Sequence, residues 1–282
     1  MDGGSRPGRY RWLLVVGALA LLSLGFGASN SVSPAPGLQP TVTPEPSEPP
    51  LESVDQVRVA LPDLVTLPIS DLRLIQDDAG NWRVLRFANA IANIGDGPLE
   101  VRGEPGPELQ RYLVRQRIFT NSGRVALEPL LPFIEYHPGH GHWHLQDFAR
   151  YELWSTNPDR TLRDVVDVSG KVSYCLMDTD KGEQGPDNPR EYLACGPTLQ
   201  GISAGWVDTY NAYLPGQFLT LSGLPNGIYA IRSVADPEDH IRESDQSNNA
   251  DVVHFRLTDS SVMLVQGPDD PLSRLGPASP GD

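Results

Sequence analysis

The apolar positions of this chain occur in short runs rather than in long helical stripes. Turn-forming sequences such as those at 78–81, 93–97 and 224–227 separate the runs. Only the segment near 106–112 has a weak helical pattern. The spacing predicts an all-β, β-sandwich-like domain with long loops. The predicted strands, rich in β-branched and aromatic residues, are 82–90, 112–120, 148–154, 171–177, 217–221, 227–234 and 251–257.

The N-terminal segment has the pattern of an export signal. Arg6, Arg9 and Arg11 precede an uncharged apolar run at 12–27. Residues 1–29 are therefore interpreted as a signal peptide or as an uncleaved N-terminal membrane anchor, and the sequence leaves both open. Either interpretation predicts a secreted or extracytoplasmic protein.

Composition predicts one folded domain between two segments without a core. Residues 30–54 are rich in Pro, Ser and Thr and are interpreted as a linker. Residues 55–265 are long enough to bury a substantial core, and residues 266–282 resemble a flexible tail.

The chain is acidic, with 22 Lys and Arg against 36 Asp and Glu and a net charge of −14. This balance argues against nucleic acid as a partner. The negative charge either attracts cationic substrates such as amines or serves solubility alone.

The two cysteines, Cys175 and Cys195, fit one disulfide in an oxidising compartment. Two free, buried thiols are the alternative. One bridge would clamp a loop, and the core would still provide most of the stability.

Histidines cluster within the segment 135–144. Side chains at every second position of a strand share one face, so His140, His142 and His144 are expected to converge on one metal ion. Imidazole ligands suit copper, zinc, iron and nickel, so the spacing alone leaves the metal open, and a histidine-rich loop without a metal is the alternative. His137 is a fourth ligand, an acid or base facing the site, or a hydrogen-bonded core residue.

With these residues in place, the chain resembles the catalytic domain of lysyl oxidases, in particular a bacterial or archaeal lysyl oxidase-like copper amine oxidase. The resemblance rests on Pro-Asp-Leu-Val at 62–65, on the H-x-H-x-H pattern followed by Asp147-Phe148-x-x-Tyr151, and on residues 243–249. These motifs follow one another in the family's order across nearly all of the predicted domain.

The resemblance implies an activity. His140, His142 and His144 would hold copper, and the protein would be a protein-lysine 6-oxidase or primary amine oxidase. Such an enzyme uses oxygen to convert primary amines, including lysyl side chains of extracytoplasmic proteins, to aldehydes, with release of ammonia and hydrogen peroxide.

The resemblance also implies a cofactor made from the protein itself. Lys171 stands just before a cysteine segment, and Tyr210 ends an Asp-Thr-Tyr sequence after a Gly-Ile-Ser turn. In the family these two side chains cross-link into lysine tyrosylquinone. His137 and Asp208 are candidates for the base that removes the α-proton of the substrate.

One departure from the family is that Gly139 stands where lysyl oxidases have a cysteine of a further disulfide. The remaining pair, Cys175 and Cys195, is then expected to bond internally. The chain therefore resembles a microbial member of the family with fewer disulfides. Collagen or elastin is not assumed to be the substrate of this chain.

A second metal site is predicted near the C-terminal end of the domain. Its oxygen ligands suit calcium, although an acidic turn with an Asn cap is the alternative. The resemblance adds two ligands near the start of the domain, the Asp63 side chain and the Leu64 backbone carbonyl. The predicted calcium ligands are Asp63, the Leu64 carbonyl, Glu243, Asp245, Asn248 and Asn249.

Two other functions compete with the oxidase. One is a non-catalytic, calcium-stabilised β-sandwich that binds a metal or a partner. The other is an enzyme that uses zinc or iron at the same histidines.

Overall fold

A computed structural model of the protein describes residues 58–108, 110–122, 125–171 and 173–265. All of them belong to one unit, Ser53–Asp282. The predicted signal or anchor at 1–29, the linker at 30–54 and the tail at 266–282 lie outside the described residues. Among the described residues, no helix is long and apolar enough to span a bilayer.

The described residues contain strands and no α-helix, so the all-β prediction is confirmed. The strands are β1 (Val59–Ala60), β2 (Leu64–Gln76), β3 (Arg83–Asn93), β4 (Leu99–Pro105), β5 (Arg111–Thr120), β6 (Val125–His137), β7 (His142–Leu145), β8 (Ala149–Thr156), β9 (Leu162–Val168), β10 (Asp180–Lys181), β11 (Gln200–Ile202), β12 (Trp206–Tyr210), β13 (Phe218–Thr220), β14 (Gly227–Ala235), β15 (Ala250–Leu257) and β16 (Val262–Val265).

These strands form three antiparallel sheets. The first has the order β11-β4-β5-β6-β7, with β1 paired to β5. The second has the order β10-β12-β3-β13, with β2 paired to β3, and the third has the order β16-β15-β14-β8-β9. Strands β14, β15 and β16 contact β2, so the second and third sheets pack together.

Most of the strands predicted from the sequence are present with small shifts at their ends, but the strand at 171–177 is wrong. Tyr174 makes one isolated bridge to Leu145, and the other described residues of this segment have no ladder. The backbone N–H groups of Leu176 and Met177 donate to the side chains of Gln200 and Asp208 instead. The weak helical pattern near 106–112 also failed, since β5 begins at Arg111.

The core is continuous across the sheets and is centred on aromatic rings. Tyr151 packs edge-on against Phe87 and against Tyr174, with ring centroids 4.9 and 6.2 Å apart. β3 is buried along most of its length because strands flank it on both sides.

Asn93, at the end of β3, ties together three parts of the fold. Its side-chain oxygen accepts hydrogen bonds from the N–H groups of Asp63 and Gly95. Its amide donates to the carbonyls of Gly97 and Ile202. Position 95 requires glycine, because the Cβ atom of any other residue would lie 2.5 Å from the Asp63 backbone nitrogen. The start of β2 is thus fixed beside the end of β3.

Candidate functional site

The histidine segment is a hairpin rather than the single strand expected from its sequence. β6 ends at His137, and β7 begins at His142, which pairs with it. In the turn between them, the N–H groups of His140 and Gly141 donate to the His137 carbonyl. Gly141 adopts a φ of +74°, which favours glycine. Pro138 has no N–H to continue a ladder, so the turn forms here.

The hairpin nevertheless gathers all four imidazole rings. The His140 ring centroid lies 4.8 Å from that of His144 and 5.5 Å from that of His142, and the His142 and His144 centroids are 4.9 Å apart. Judged by distance alone, the ring nitrogens of His137, His140 and His144 form the tightest group, within 4.8 Å of one another.

Burial makes these imidazoles poor bases. It lowers the pKa of His140 to about 4 and that of His144 to about 2, and positive charge on Lys171 and on the neighbouring histidines adds to the effect. The pKa of His142 is lowered for the same reasons. Because burial disfavours the charged form of His140, His142 and His144, their nitrogen lone pairs are available to a metal ion.

Lys171 lies in the loop that follows β9, where its N–H donates to the Ser169 hydroxyl. Its Nζ lies over two aromatic rings, 4.7 Å from the Tyr174 centroid and 5.6 Å from the Tyr210 centroid. Burial lowers the pKa of Lys171 to about 8, although the Asp208 carboxylate opposes this effect. A substantial fraction of the amine is therefore neutral near physiological pH.

Tyr210 is the last residue of β12 and is buried. Its hydroxyl donates to the Asp208 carboxylate and lies 3.1 Å from the Cys175 carbonyl oxygen. Burial raises the pKa of Asp208, an effect that the hydrogen bond from Tyr210 opposes. The phenol and the carboxyl group therefore form a coupled, water-excluded pair.

Cys175 and Cys195 form the predicted disulfide, with Cα atoms 5.3 Å apart. The Cys195 carbonyl accepts a hydrogen bond from the Trp143 N–H of β7. The disulfide thus links the loop that contacts Tyr210 to the strand that carries His142 and His144.

Two cavities meet at this cluster. The smaller, of about 200 Å³, is lined by His140, His142 and His144 together with Lys171, Asp208 and Tyr210. The larger, of about 400 Å³, is lined by residues that include His137, His140, Lys171 and Phe218. The structure therefore places Asp208 and His137, the two candidate bases, in different cavities.

Hydrogen bonds join five of the six residues predicted for the second metal site. The Leu64 N–H donates to Glu243, Asn249 donates to the other Glu243 oxygen, and Asn248 donates to Asp63. Burial raises the pKa of Glu243 to about 7.

Asp245 is exposed and makes no hydrogen bond to this group among the described residues. Its Oδ1 accepts hydrogen bonds from the N–H and the hydroxyl of Ser247. These two contacts stabilise the turn between Glu243 and Asn248.

The sequence interpretation missed Tyr174. It is fully buried, and it is the residue nearest to the Lys171 amine among the aromatic contacts described. Its spacing of three from Lys171 was a weak signal, because that spacing brings side chains together only in some loop conformations.

Comparison with known proteins gives one family and several relatives. The family model described as Lysyl oxidase matches residues 106–267. Protein-lysine 6-oxidase of Sus scrofa is 32% identical over 155 residues, which are 52% of this chain and 58% of that protein. Protein-lysine 6-oxidase of Gallus gallus is 35% identical over 155 residues, covering 52% of this chain and 34% of that protein.

Lysyl oxidase homolog 3 of Homo sapiens is 31% identical over 172 residues, which are 61% of this chain and 18% of that protein. The chain therefore spans only part of the relatives it matches. The family match includes the histidine hairpin, Lys171, Tyr210 and residues 243–249, and it leaves out Asp63 and Leu64.

Proposed function

Since the chain belongs to the lysyl oxidase family, we propose that it is a copper-dependent oxidase of primary amines. One amine, one dioxygen and one water give one aldehyde, one ammonia and one hydrogen peroxide. The amine loses two electrons and dioxygen gains them, so dioxygen is the oxidant. The C–N bond of the amine is replaced by the carbonyl of the aldehyde.

The observation that carries this proposal is the meeting of Lys171 and Tyr210 in one buried cavity. They come from different segments, and the amine lies 5.6 Å from the ring centroid. This placement supports their cross-linking into lysine tyrosylquinone. Once formed, that cofactor supplies an electrophilic carbonyl for a primary amine.

Ring orientation supports copper at His140, His142 and His144. A metal lies near the plane of each imidazole that binds it, because the nitrogen lone pair lies in that plane. These rings are inclined to one another at 44° to 76°, an arrangement that allows in-plane lone pairs to converge on one ion. His137 stacks on His144 at only 22°, so the two lone pairs lie in nearly parallel planes. The neutral imidazole set suits copper, which supplies redox exchange with dioxygen when bound.

The protein's own groups divide the remaining tasks. Asp208 orients the Tyr210 hydroxyl, and we assign it as the α-proton base because it lines the same cavity as Tyr210. Its raised pKa makes its carboxylate a stronger base than an ordinary one. His137, which faces the larger cavity, is the alternative base.

The substrate class follows from charge and from the relatives' names. A chain with a net charge of −14 attracts cationic amines, and two relatives are named protein-lysine 6-oxidase. A lysyl side chain of an extracytoplasmic protein is therefore the proposed substrate. The location rests on the export pattern at 1–29, which fits either a signal peptide or an N-terminal membrane anchor.

We also propose calcium at the second site, as a stabilising ion. The Oδ1 atoms of Asn248 and Asn249 are buried and have no hydrogen-bond partner among the described residues. With Glu243, Asp63 and the Leu64 carbonyl they offer the hard oxygen atoms that calcium prefers. Asp245 would contribute Oδ2, since its contacts with Ser247 use Oδ1.

The test is to load the folded protein with copper in air and to treat it with phenylhydrazine. We expect a quinone absorbance and a hydrazone on a cross-linked Lys171–Tyr210 peptide. Lys171→Arg and Tyr210→Phe should abolish both signals. The matched controls are Lys181→Arg and Tyr213→Phe, because both side chains are exposed.

A folded, copper-loaded protein without an adduct would contradict the oxidase proposal. Retained calcium without an adduct would then favour the non-catalytic β-sandwich. Activity that depends on zinc or iron would favour a different metalloenzyme.

A further inference from the structure

Tyr174 is the buried residue that contacts both proposed cofactor precursors. The Lys171 amine lies 4.7 Å from its ring centroid, closer than to the ring of Tyr210. The edge-to-face pair of Tyr174 and Tyr210 has centroids 4.5 Å apart at 65°. Both distances lie within the ranges of cation–π and aromatic pair interactions.

The far end of the Tyr174 ring is held in place. Its hydroxyl donates to the Lys171 carbonyl at 3.4 Å. Tyr151 packs edge-on against the ring, and the Tyr174 side chain is fully buried. A ring fixed in this way can orient the flexible lysine side chain, which otherwise has many rotamers.

We propose that Tyr174 is a positioning residue: its ring holds the Lys171 amino group and packs in a T-shaped contact on Tyr210, so that the amine is aligned with the ring it modifies. This inference rests on the proposed function. We assign the modification to Tyr210 rather than to Tyr174, because the Tyr210 hydroxyl donates to a carboxylate and the Tyr174 hydroxyl donates to a backbone carbonyl.

The chemistry that Tyr174 assists is balanced with dioxygen as the oxidant. The Lys171 nitrogen forms a bond to a Tyr210 ring carbon, and a second ring carbon gains an oxygen atom. The two side chains together lose four hydrogen atoms. Two molecules of dioxygen take up these electrons and protons, giving the ring oxygen, one water and one hydrogen peroxide.

The test compares the rate of quinone formation after copper addition in full-length variants. Tyr174→Phe keeps the ring and should form the quinone within about twofold of the wild-type rate. Tyr174→Leu removes the ring and should slow formation by about tenfold or more. Tyr229→Leu is the matched control, since Tyr229 is a buried tyrosine whose hydroxyl bonds to Pro225 and whose ring stacks on Phe255.

Because Tyr174→Leu can destabilise the core, pentafluorophenylalanine at position 174 provides a second test. It keeps the ring shape and reverses the charge distribution of the ring face, so it should also slow formation relative to Tyr174→Phe. Copper stoichiometry and thermal unfolding are measured in parallel. An unchanged copper content with slow cross-linking is the signature of positioning.

Equal rates for phenylalanine and pentafluorophenylalanine would overturn the inference, and so would a cross-link on Tyr174. The inference would also fail if Tyr174→Phe were as slow as Tyr174→Leu, because the hydroxyl would then be the active part. Absence of the cross-link in the wild-type protein would overturn the proposed function, and the inference with it. A normal wild-type cross-link with unaffected variants would overturn only the role of Tyr174.

Discussion

The Lys171 amine and the Tyr210 ring lie 5.6 Å apart in a buried cavity, although they belong to different segments of the chain. Their immediate partners differ in charge. Lys171 lies over the neutral ring of Tyr174, whereas the Tyr210 hydroxyl donates to the Asp208 carboxylate. This pairing gives an amine that loses its proton easily beside a phenol oriented by an acid.

The formation of the quinone should depend on pH through Lys171. Only the neutral amine attacks, and burial places the pKa of Lys171 at about 8 in the metal-free protein. The formation rate is therefore expected to rise with pH and to level off above about pH 8. Positive charge from bound copper would shift this plateau to a lower pH. Stopped-flow absorbance across pH measures this. A midpoint near the ordinary lysine value of about 10.4 would contradict it.

Substitution of His142 and of His137 should have different effects on copper affinity. His142→Gln is expected to weaken copper binding by more than the roughly 10–100-fold that loss of an outer-sphere partner costs. His137→Gln should bind copper almost normally, because its ring stacks on His144. Calorimetric titration and electron paramagnetic resonance provide the measurements. The reverse ranking would assign the metal to His137, His140 and His144.

Calcium should reverse the pH dependence of stability. The pKa of Glu243 is about 7 in the folded protein, above the ordinary glutamate value. Between about pH 4.5 and 7 the folded state binds more protons than the unfolded state, so metal-free stability falls as pH rises. Calcium at about 100 times its dissociation constant should add about 2.7 kcal/mol at neutral pH.

Thermal unfolding with and without calcium tests this expectation. Glu243→Gln should remove both the pH dependence and the calcium effect, whereas the exposed Glu183→Gln should change neither. Equal stabilisation of the Glu243→Gln variant by calcium would place the ion elsewhere.

Removing the disulfide should destabilise the protein. The bridge closes a loop between residues separated by 20 positions, so Cys175→Ser combined with Cys195→Ser should cost about 3 kcal/mol of unfolding free energy. Denaturant titration measures this loss. We also expect slower quinone formation, because the Cys175 carbonyl contacts the Tyr210 hydroxyl. A loss below about 1 kcal/mol would show that the loop is held by its hydrogen bonds.

Asp208→Asn should impair amine oxidation more than quinone formation. The amide can still orient Tyr210 but cannot accept the α-proton, so a decrease of about 10²–10⁴-fold in turnover is expected. The measurement is the rate at which ordinary and α-deuterated amines reduce the quinone without oxygen, divided by the amount of quinone present. Asp180→Asn, at an exposed carboxylate bonded to Thr209, is the control. A normal rate in Asp208→Asn would assign the base to His137.

The sequence alone was enough to predict the fold class and to identify the histidine cluster as the candidate site. Short β-rich runs and turns are local signals, so the sequence predicted β3, β5, β8, β13, β14 and β15. The histidine cluster was visible because its members are close in the chain. The conformation of that cluster was not visible in the sequence, because Pro138 and Gly141 form a turn, and the segment is a hairpin instead of one strand.

Only the tertiary structure decided which distant residues meet. Gln200 and Asp208 accept the N–H groups of Leu176 and Met177, so the segment expected to be a strand becomes the loop that brings Lys171 and Tyr174 to Tyr210. Such bonds join residues far apart in the sequence and leave no periodic signal. The sequence determines the side-chain types and their local spacing. The contact of the Lys171 amine, the Tyr210 phenol and the Asp208 carboxylate depends on packing and buried hydrogen bonds that only the folded chain makes.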